Sequence, residues 1–392
     1  MDFRLTRDQE ALRRGMRDLL AARFGREVLR AAVDVADRAD GADRAAGAAG
    51  ADRAAGNDRS EGVDRSDGND RSDGREGAGR GEGADGSGER FVPGGRLWRE
   101  LGAAGLFALR VPERAGGVGS GLPEAVLVFE EAGRALLPGP LVAAELAART
   151  GLVPGAAEGT VPVTAVAGTR AGDGALVEHL ASAGAVLLLE EGRPARVLDP
   201  AALAAVPMRS ADPLTPLHRV RVPRPGPDRA GGEAEYRAEG GTEGGAPDGG
   251  VLLLEGTLLA AAQQLGSARR TLELAVGYAR EREQFGRPIG GFQAVQHLCA
   301  GMLVRSETAR SVVYAAAVTA DEAEIRAAKL LADTAAVGNA RDCLQVYGGT
   351  GFTWEADVHL HLKRAWLRAE QWCAAADSEE RLASALLRPV GR

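Results

Sequence analysis

The sequence predicts a mostly α protein: an N-terminal helical domain, a small central β-domain and a C-terminal antiparallel four-helix bundle. Three observations predict it. From Glu255 onward, apolar residues recur at the spacing of one helix face through long segments joined by short connections. Between about Thr160 and Arg221 the pattern changes to short apolar runs, VPVTAVAG, AVLLLEE and HRVRV, divided by Gly, Pro and Asp. Ahead of that stretch the helical spacing holds again, so the order along the chain is helices, strands, helices.

In the N-terminal domain (1–150), Thr6 and Gln9 stand at capping-box spacing ahead of a stripe made by Leu12, Met16, Leu19 and Leu20. Between Gly41 and Arg90 the only large apolar residue is Val63, amid DR, DG and RS units. Such a segment buries too little surface to offset its ordering entropy, so 41–90 is expected to be a disordered insertion. Leu97, Leu101 and Leu106 fit a short helix, followed by an extended run FALRV that Pro112 stops. Leu122 to Leu137 reads as a buried helix closed by the Pro138-Gly139-Pro140 turn. The β-rich domain is expected over 151–222, with a low-complexity linker over 223–250. The bundle then fills 251–392, with helices over Glu255–Arg282, Phe292–Thr319, Ala323–Tyr347, Ala356 to about Trp372, and Ser378–Leu387.

Composition narrows the function. The 392 residues carry a net charge of -7 and no sustained basic stripe, which argues against nucleic acid as a partner. Cys299, Cys343 and Cys373 are scattered without CxxC spacing, so neither a disulfide framework nor a metal site is expected. The N-terminus MDFRLTRDQE lacks the apolar core of a signal peptide, and no apolar run reaches the roughly 18 residues of a membrane span. A cytoplasmic protein without a membrane partner is the expectation.

Two segments of the bundle are poorly explained by packing. In YAREREQFGRPIGGFQAVQ, Tyr278–Gln296, a helix ends in alternating charge, turns through Gly286–Gly291 and restarts at Phe292-Gln293. In QVYGGTGFTWE, Gln345–Glu355, Gly348, Gly349 and Gly351 break a long helix. Glycine there permits positive φ and lets backbone amides approach a ligand, and amides exposed at a helix break suit a phosphate.

The pattern of Arg282, Gln284-Phe285-Gly286, Pro288-Ile289 and Phe292-Gln293, followed by Gln345, Gly348-Gly349 and Gly351-Phe352, resembles the acyl-CoA dehydrogenase family. The likeness covers the whole order of domains and is strongest over Tyr278–Arg364. It implies two helical domains around a β-domain, with FAD as cofactor across a subunit interface and an acyl-CoA thioester as substrate. Arg282 would pair with the FAD diphosphate, Phe285 would pack near the cofactor, and Gln293 would hydrogen-bond it across the interface. Gln345, Gly348 and Gly349 would hold the pyrophosphate of the neighbouring subunit's FAD. The reaction implied is α,β-desaturation, in which a carboxylate takes a proton from Cα and hydride leaves Cβ for the flavin. An electron-acceptor protein is implied as a further partner.

The resemblance departs at two places. The family's base, a Glu late after the double-glycine turn, falls here on Trp372 or Cys373. Glu370 lies two or three residues early, and Glu255 falls near an alternative position for the base at the start of the preceding long helix. Glu355 matches a structural position. The catalytic residue therefore stays open. The Thr-Glu-Pro and Gly-Ser-Asp loop of the β-domain has no match between Gly151 and Gly250, so this domain reads as shortened, as in family members that work beside a different, complete subunit. A hetero-oligomer whose partner supplies the base is the expectation. The alternatives are a self-sufficient homo-oligomer using Glu255 and a non-enzymatic scaffold subunit.

Overall fold

The computed structural model describes residues 5–38, 93–168, 174–222 and 246–387. The segment 41–90 and the linker up to residue 245 lie outside the described residues. The chain divides into two units, Met1–Arg26 with Phe91–Arg392, and Glu27–Arg90. In the second unit residues 27–38 are described, and they form most of a helix over 26–38, here α2.

In the first unit, α1 (Arg7–Arg23) starts at the expected capping box. Thr6 Oγ1 accepts from the Gln9 N–H at 3.2 Å, and Gln9 Oε1 accepts from the Thr6 N–H at 3.1 Å. Met16 and Leu20 bury the inner face, and Arg17 forks onto the buried Glu131 at 2.8 and 2.6 Å. Next come α3 (Arg96–Ala103), α4 (Leu122–Arg134) and α5 (Leu141–Thr150), with Trp98 fully buried against Phe107. The FALRV run is not extended. It lies in turns, because the N–H groups of Val118, Gly119 and Ser120 fold back onto the carbonyls of Ala108, Val111 and Leu109.

The β-domain holds two three-stranded sheets. In one, β1 (Val163–Ala167) runs parallel to β3 (Ala185–Leu189), with β4 (Arg196–Leu198) antiparallel on the far side. In the other, β6 (Leu217–Arg221) pairs antiparallel with β2 (Ala175–Glu178) and β5 (Ala204–Met208). Val166, Val177, Val186, Leu188 and Val220 form the core of this domain. The three apolar runs read from the sequence are β1, β3 and β6.

The bundle is α6 (Gly249–Glu281), α7 (Gln293–Thr319), α8 (Glu322–Tyr347), α9 (Val358–Ala369) and the shorter α10 (Ala375–Leu387). The linker ends earlier than expected. Residues 246–250 are packed: Asp248 caps α6 by accepting from the Gly250 and Val251 N–H groups at 2.7 and 3.2 Å, and the Gly249 N–H donates to the Arg193 carbonyl. The Asp-Gly-Gly that reads as low complexity is a helix start. α6 packs on α4, α7 and α8 and is the central element of the fold. Among the described residues, no helix is long and apolar enough to cross a membrane.

Candidate functional site

At its C-terminal end α6 stops at Glu281, and a two-residue hairpin follows, β7 (Glu283–Gln284) with β8 (Arg287–Pro288). Its turn residues Phe285 and Gly286 have φ of 55° and 76°, the positive values such a tight hairpin requires. The turn leaves the Phe285 ring 91% exposed, touching Phe292 edge-on. Gln293 opens α7 and is exposed. Nearby, α8 ends at Tyr347, and Gly348 takes φ 60° and ψ -142°, a conformation essentially restricted to glycine.

One contact joins the two motifs. Tyr278, in the last turn of α6, stacks on Tyr347 with centroids 4.1 Å apart. Behind that pair Ala279, Leu344 and Val346 make a common core with Ile289, Val295 and Leu298. Arg282, Phe285, Gln293, Gln345, Gly348 and Gly349 thus share one end of the bundle, and all six are exposed. Among the described residues no ion pair reaches the Arg282 guanidinium, so a surface bridge to Glu281 or Glu283 does not account for it. A Cβ built on Gly348 or Gly349 would meet nothing within 4 Å, so the backbone there is open to approach. A guanidinium fork, two carboxamides, an open glycine turn and an aromatic face fit a diphosphate joined to flat ring systems.

The opposite half of α6 is finished differently. Glu255 accepts from Arg110 Nη1 at 2.9 Å and from Arg149 Nε and Nη2 at 3.0 and 2.5 Å. Arg110 in turn holds the fully buried Glu145 at 2.6 Å through both Nε and Nη2. Both oxygens of Glu255 are therefore engaged by guanidinium groups. Glu355 has a structural place: its carbonyl accepts from Arg26, which also pairs with Asp357.

Glu370 caps the end of α9, and Trp372 and Cys373 form the turn into α10. Lys329, fully buried on α8, braces that turn. Its ammonium donates to Asp333 at 2.5 Å and to the carbonyls of Arg368 and Ala369 at 3.1 and 3.3 Å, using all three protons. Arg326 Nη1 donates to Cys373 Sγ at 3.3 Å. Two cavities meet at this turn. One, of about 450 Å³, is lined by Ala143, Ala165, Ala167 and Leu367 together with Glu178, Glu370, Gln371 and Asp377. The other, of about 540 Å³, is lined by Leu253, Leu254, Thr257 and a set of charged side chains that includes Arg326.

Sequence reasoning missed a charged cluster beside the first cavity. Burial pushes the Glu178 carboxyl above the usual glutamate range, against the pull of Arg368 and a hydrogen bond from Gln371 Nε2 at 3.2 Å. Burial, then the nearby Arg364, lowers His179 to about 3, and the same two causes lower Arg368 to about 10. Burial would raise Asp212, but the Arg364 guanidinium outweighs it, aided by hydrogen bonds from the Thr215 hydroxyl at 2.6 Å and the Leu214 N–H. The one sequence signal was an adjacent Glu-His pair closing an apolar strand.

The order of helices, two small sheets and a helical bundle is that of the acyl-CoA dehydrogenase fold. The comparisons agree. Residues 83–157 match the acyl-CoA dehydrogenase N-terminal domain and 251–371 the acyl-CoA dehydrogenase C-terminal domain. The chain is 38% identical over 288 residues to acyl-CoA dehydrogenase FadE34 of Mycobacterium tuberculosis, a match spanning 68% of this chain but 38% of that protein. It is 34% identical to acyl-CoA dehydrogenase IpdE2 of the same organism, over 69% of this chain and 80% of that one. The ChsE4-ChsE5 complex of M. tuberculosis shares the fold, with TM-score 0.69, 22% identity and full coverage of both chains. The chain belongs to the acyl-CoA dehydrogenase family, whose cofactor is FAD.

Proposed function

We propose that this chain is a subunit of a hetero-oligomeric acyl-CoA dehydrogenase, holding part of the FAD of a related subunit that supplies the catalytic carboxylate. The observation that carries this reading is a contrast. The six residues that the resemblance assigns to the cofactor are exposed, while Trp372 and Cys373 stand where the resemblance puts the base and Glu255 is held by Arg110 and Arg149. FAD, when bound, supplies the acceptor for the hydride leaving the acyl Cβ, and an electron-acceptor protein would reoxidise it. Arg282 would neutralise the diphosphate by a two-point fork, for which guanidinium is better suited than ammonium. Gln345 and the amides about Gly348-Gly349 would donate to the pyrophosphate oxygens at close range, and Gln293 and Phe285 would orient the rings. The ChsE4-ChsE5 complex, named for two chains, supports an assembly of unlike subunits.

A second reading has one observation in its favour. Glu178 lines the 450 Å³ cavity with its carboxyl pushed upward, the direction a general base at neutral pH needs. A chain working as a homo-oligomer would then draw its carboxylate from the β-domain and not from Glu255.

Flavin content tests the proposal. Co-expressed with a related subunit carrying the Glu and the complete β-domain, the wild-type chain should purify yellow. Gly349→Val, which fills the amide approach, should lower bound flavin sharply without loss of helicity by circular dichroism. Normal flavin content in that variant refutes the phosphate-site assignment.

A further inference from the structure

The outward side of α7 has an unusual composition for a surface helix. Met302, Ser306, Ala309 and Val313 are buried and mark its inner face. Opposite them, at helical spacing, run His297, Ala300, Val304, Ser311, Ala315 and Val318. Val304 is 65% exposed, Val318 60% and the neighbouring Leu303 51%. No Asp, Glu, Lys or Arg is among the exposed residues of this 27-residue helix. Its three charged side chains are half-buried and paired within the chain, Arg305 with Asp342 and Glu307 with Arg310. By contrast, α1 exposes Arg7, Asp8, Glu10, Arg14, Arg17 and Asp18, the charged face of a helix that meets water.

The neighbouring helix α8 extends this surface. Gly338 lies against α7, where an added Cβ would stand 3.1 Å from Arg305 Nε. Leu331 and Thr334, two turns and one turn earlier, share its face and carry no charge. A helix of 27 residues is about 40 Å long, and two side by side are about 20 Å wide. The pair therefore offers on the order of 800 Å², the share that one partner contributes to a stable interface.

We propose that the outer face of α7 and α8 joins two copies of this chain about a two-fold axis. A two-fold lays one patch on itself, so a charge near the axis would oppose its own image. A face without charges escapes that repulsion. An unlike partner could offer opposite charges and would require no such neutrality. The small side chains of Ala300, Ser311 and Ala315 let the facing helix approach closely, and Val304 and Val318 supply apolar area. On the hetero-oligomeric reading above, the complex then holds two copies of this chain. The pairing itself needs neither flavin nor the related subunit, so it is tested apart from that reading.

Sedimentation velocity of the full chain, purified alone at micromolar concentration, tests this. The wild type should sediment as a dimer. Val304→Glu puts a pair of like charges into the joint, and Ser311→Arg adds bulk and charge further along. Each should raise the dissociation constant about a hundredfold or more, the cost of burying an unpaired charge, and sediment as a monomer with unchanged circular dichroism. Arg14→Glu, a charge change on α1, should leave the dimer intact. Gly349→Val should still dimerise while losing flavin in the complex, which separates this proposal from the cofactor reading. A wild-type chain that is monomeric alone overturns the pairing, even if it assembles with the related subunit, because the face then belongs to an unlike partner or to none. A dimer that survives both substitutions overturns it equally. Should Val304→Glu fail to fold, Ser311→Arg decides by the same criterion.

Discussion

The two ends of α6 face different problems. Around Arg282, Phe285 and Gly348 the polar and aromatic groups are exposed and the backbone is open, so nothing in the chain itself explains their types. Around Glu255, Glu145 and Lys329 every charge meets an opposite charge or a carbonyl, most of them buried. On the proposed reading, the first end is completed by a cofactor and a partner subunit. The second is finished already, both oxygens of its glutamate being engaged by arginines of the same chain.

That contrast predicts opposite behaviour on mutation. Lys329→Met leaves Asp333 buried without its cation, and breaking such a pair costs about 3–5 kcal/mol. At roughly 2–4 °C per kcal/mol for a unit of this size, the melting temperature should fall on the order of 10 °C. Arg282→Ala should leave the melting temperature of the isolated chain within about 2 °C, as for an exposed substitution, yet strip flavin from the complex. A large thermal loss at Arg282, or none at Lys329, would erase the distinction.

Glu255→Gln keeps the shape but removes the charge that Arg110 and Arg149 share. It should destabilise by about 1–3 kcal/mol, the worth of charged hydrogen bonds, with little effect on turnover by the complex. Arg110 retains Glu145 in that variant, which holds the loss below that of Lys329→Met. Chemical denaturation and initial rates measured on one preparation separate the two effects.

Much of the open end was legible because each motif is one continuous run. A glycine needed for backbone conformation, or a guanidinium with no neighbour to satisfy, leaves its mark locally. The closed end was not legible, because its pairs join residues far apart: Arg149 and Glu255 are separated by 106 positions, Asp212 and Arg364 by 152. Nothing at Glu255 in the sequence announces two arginines from another domain. Gly256, where an added Cβ would stand 2.2 Å from Trp372 Cε3, is hidden for the same reason. The helices and strands, set by short-range periodicity, lay close to where the sequence placed them. FALRV was misread because its return contacts, and not its own pattern, decide its shape.

The charged cluster gives the smallest effects, read through pH. His179 and His361 are lowered to about 3 by burial, each with arginine nearby, and a solvated histidine titrates near 6.5. Unfolding must therefore take up protons below pH 6.5, so the stability due to neutral histidine is complete above that pH and is lost as pH falls towards 3. Glu178 has the opposite sign. Its raised carboxyl binds the proton more tightly when folded, so its stability contribution falls as pH rises from the ordinary glutamate range to its folded value. Glu178→Gln should accordingly gain more in melting temperature at pH 8 than at pH 4. An equal gain at both would mean that the carboxyl titrates as if solvated.

The central claim is that the catalytic carboxylate comes from another chain, and turnover measures it most directly. Acyl-CoA oxidation is followed with an artificial electron acceptor, first for this chain alone and then for its complex with a related subunit bearing the Glu. Loss of a general base costs about two to four orders of magnitude, so the chain alone should be slower than the complex by at least that factor. Glu255→Gln and Glu178→Gln in this chain should then leave the rate of the complex nearly unchanged. Robust dehydrogenation by this chain alone, abolished by either substitution, would contradict the account and assign the base to this chain.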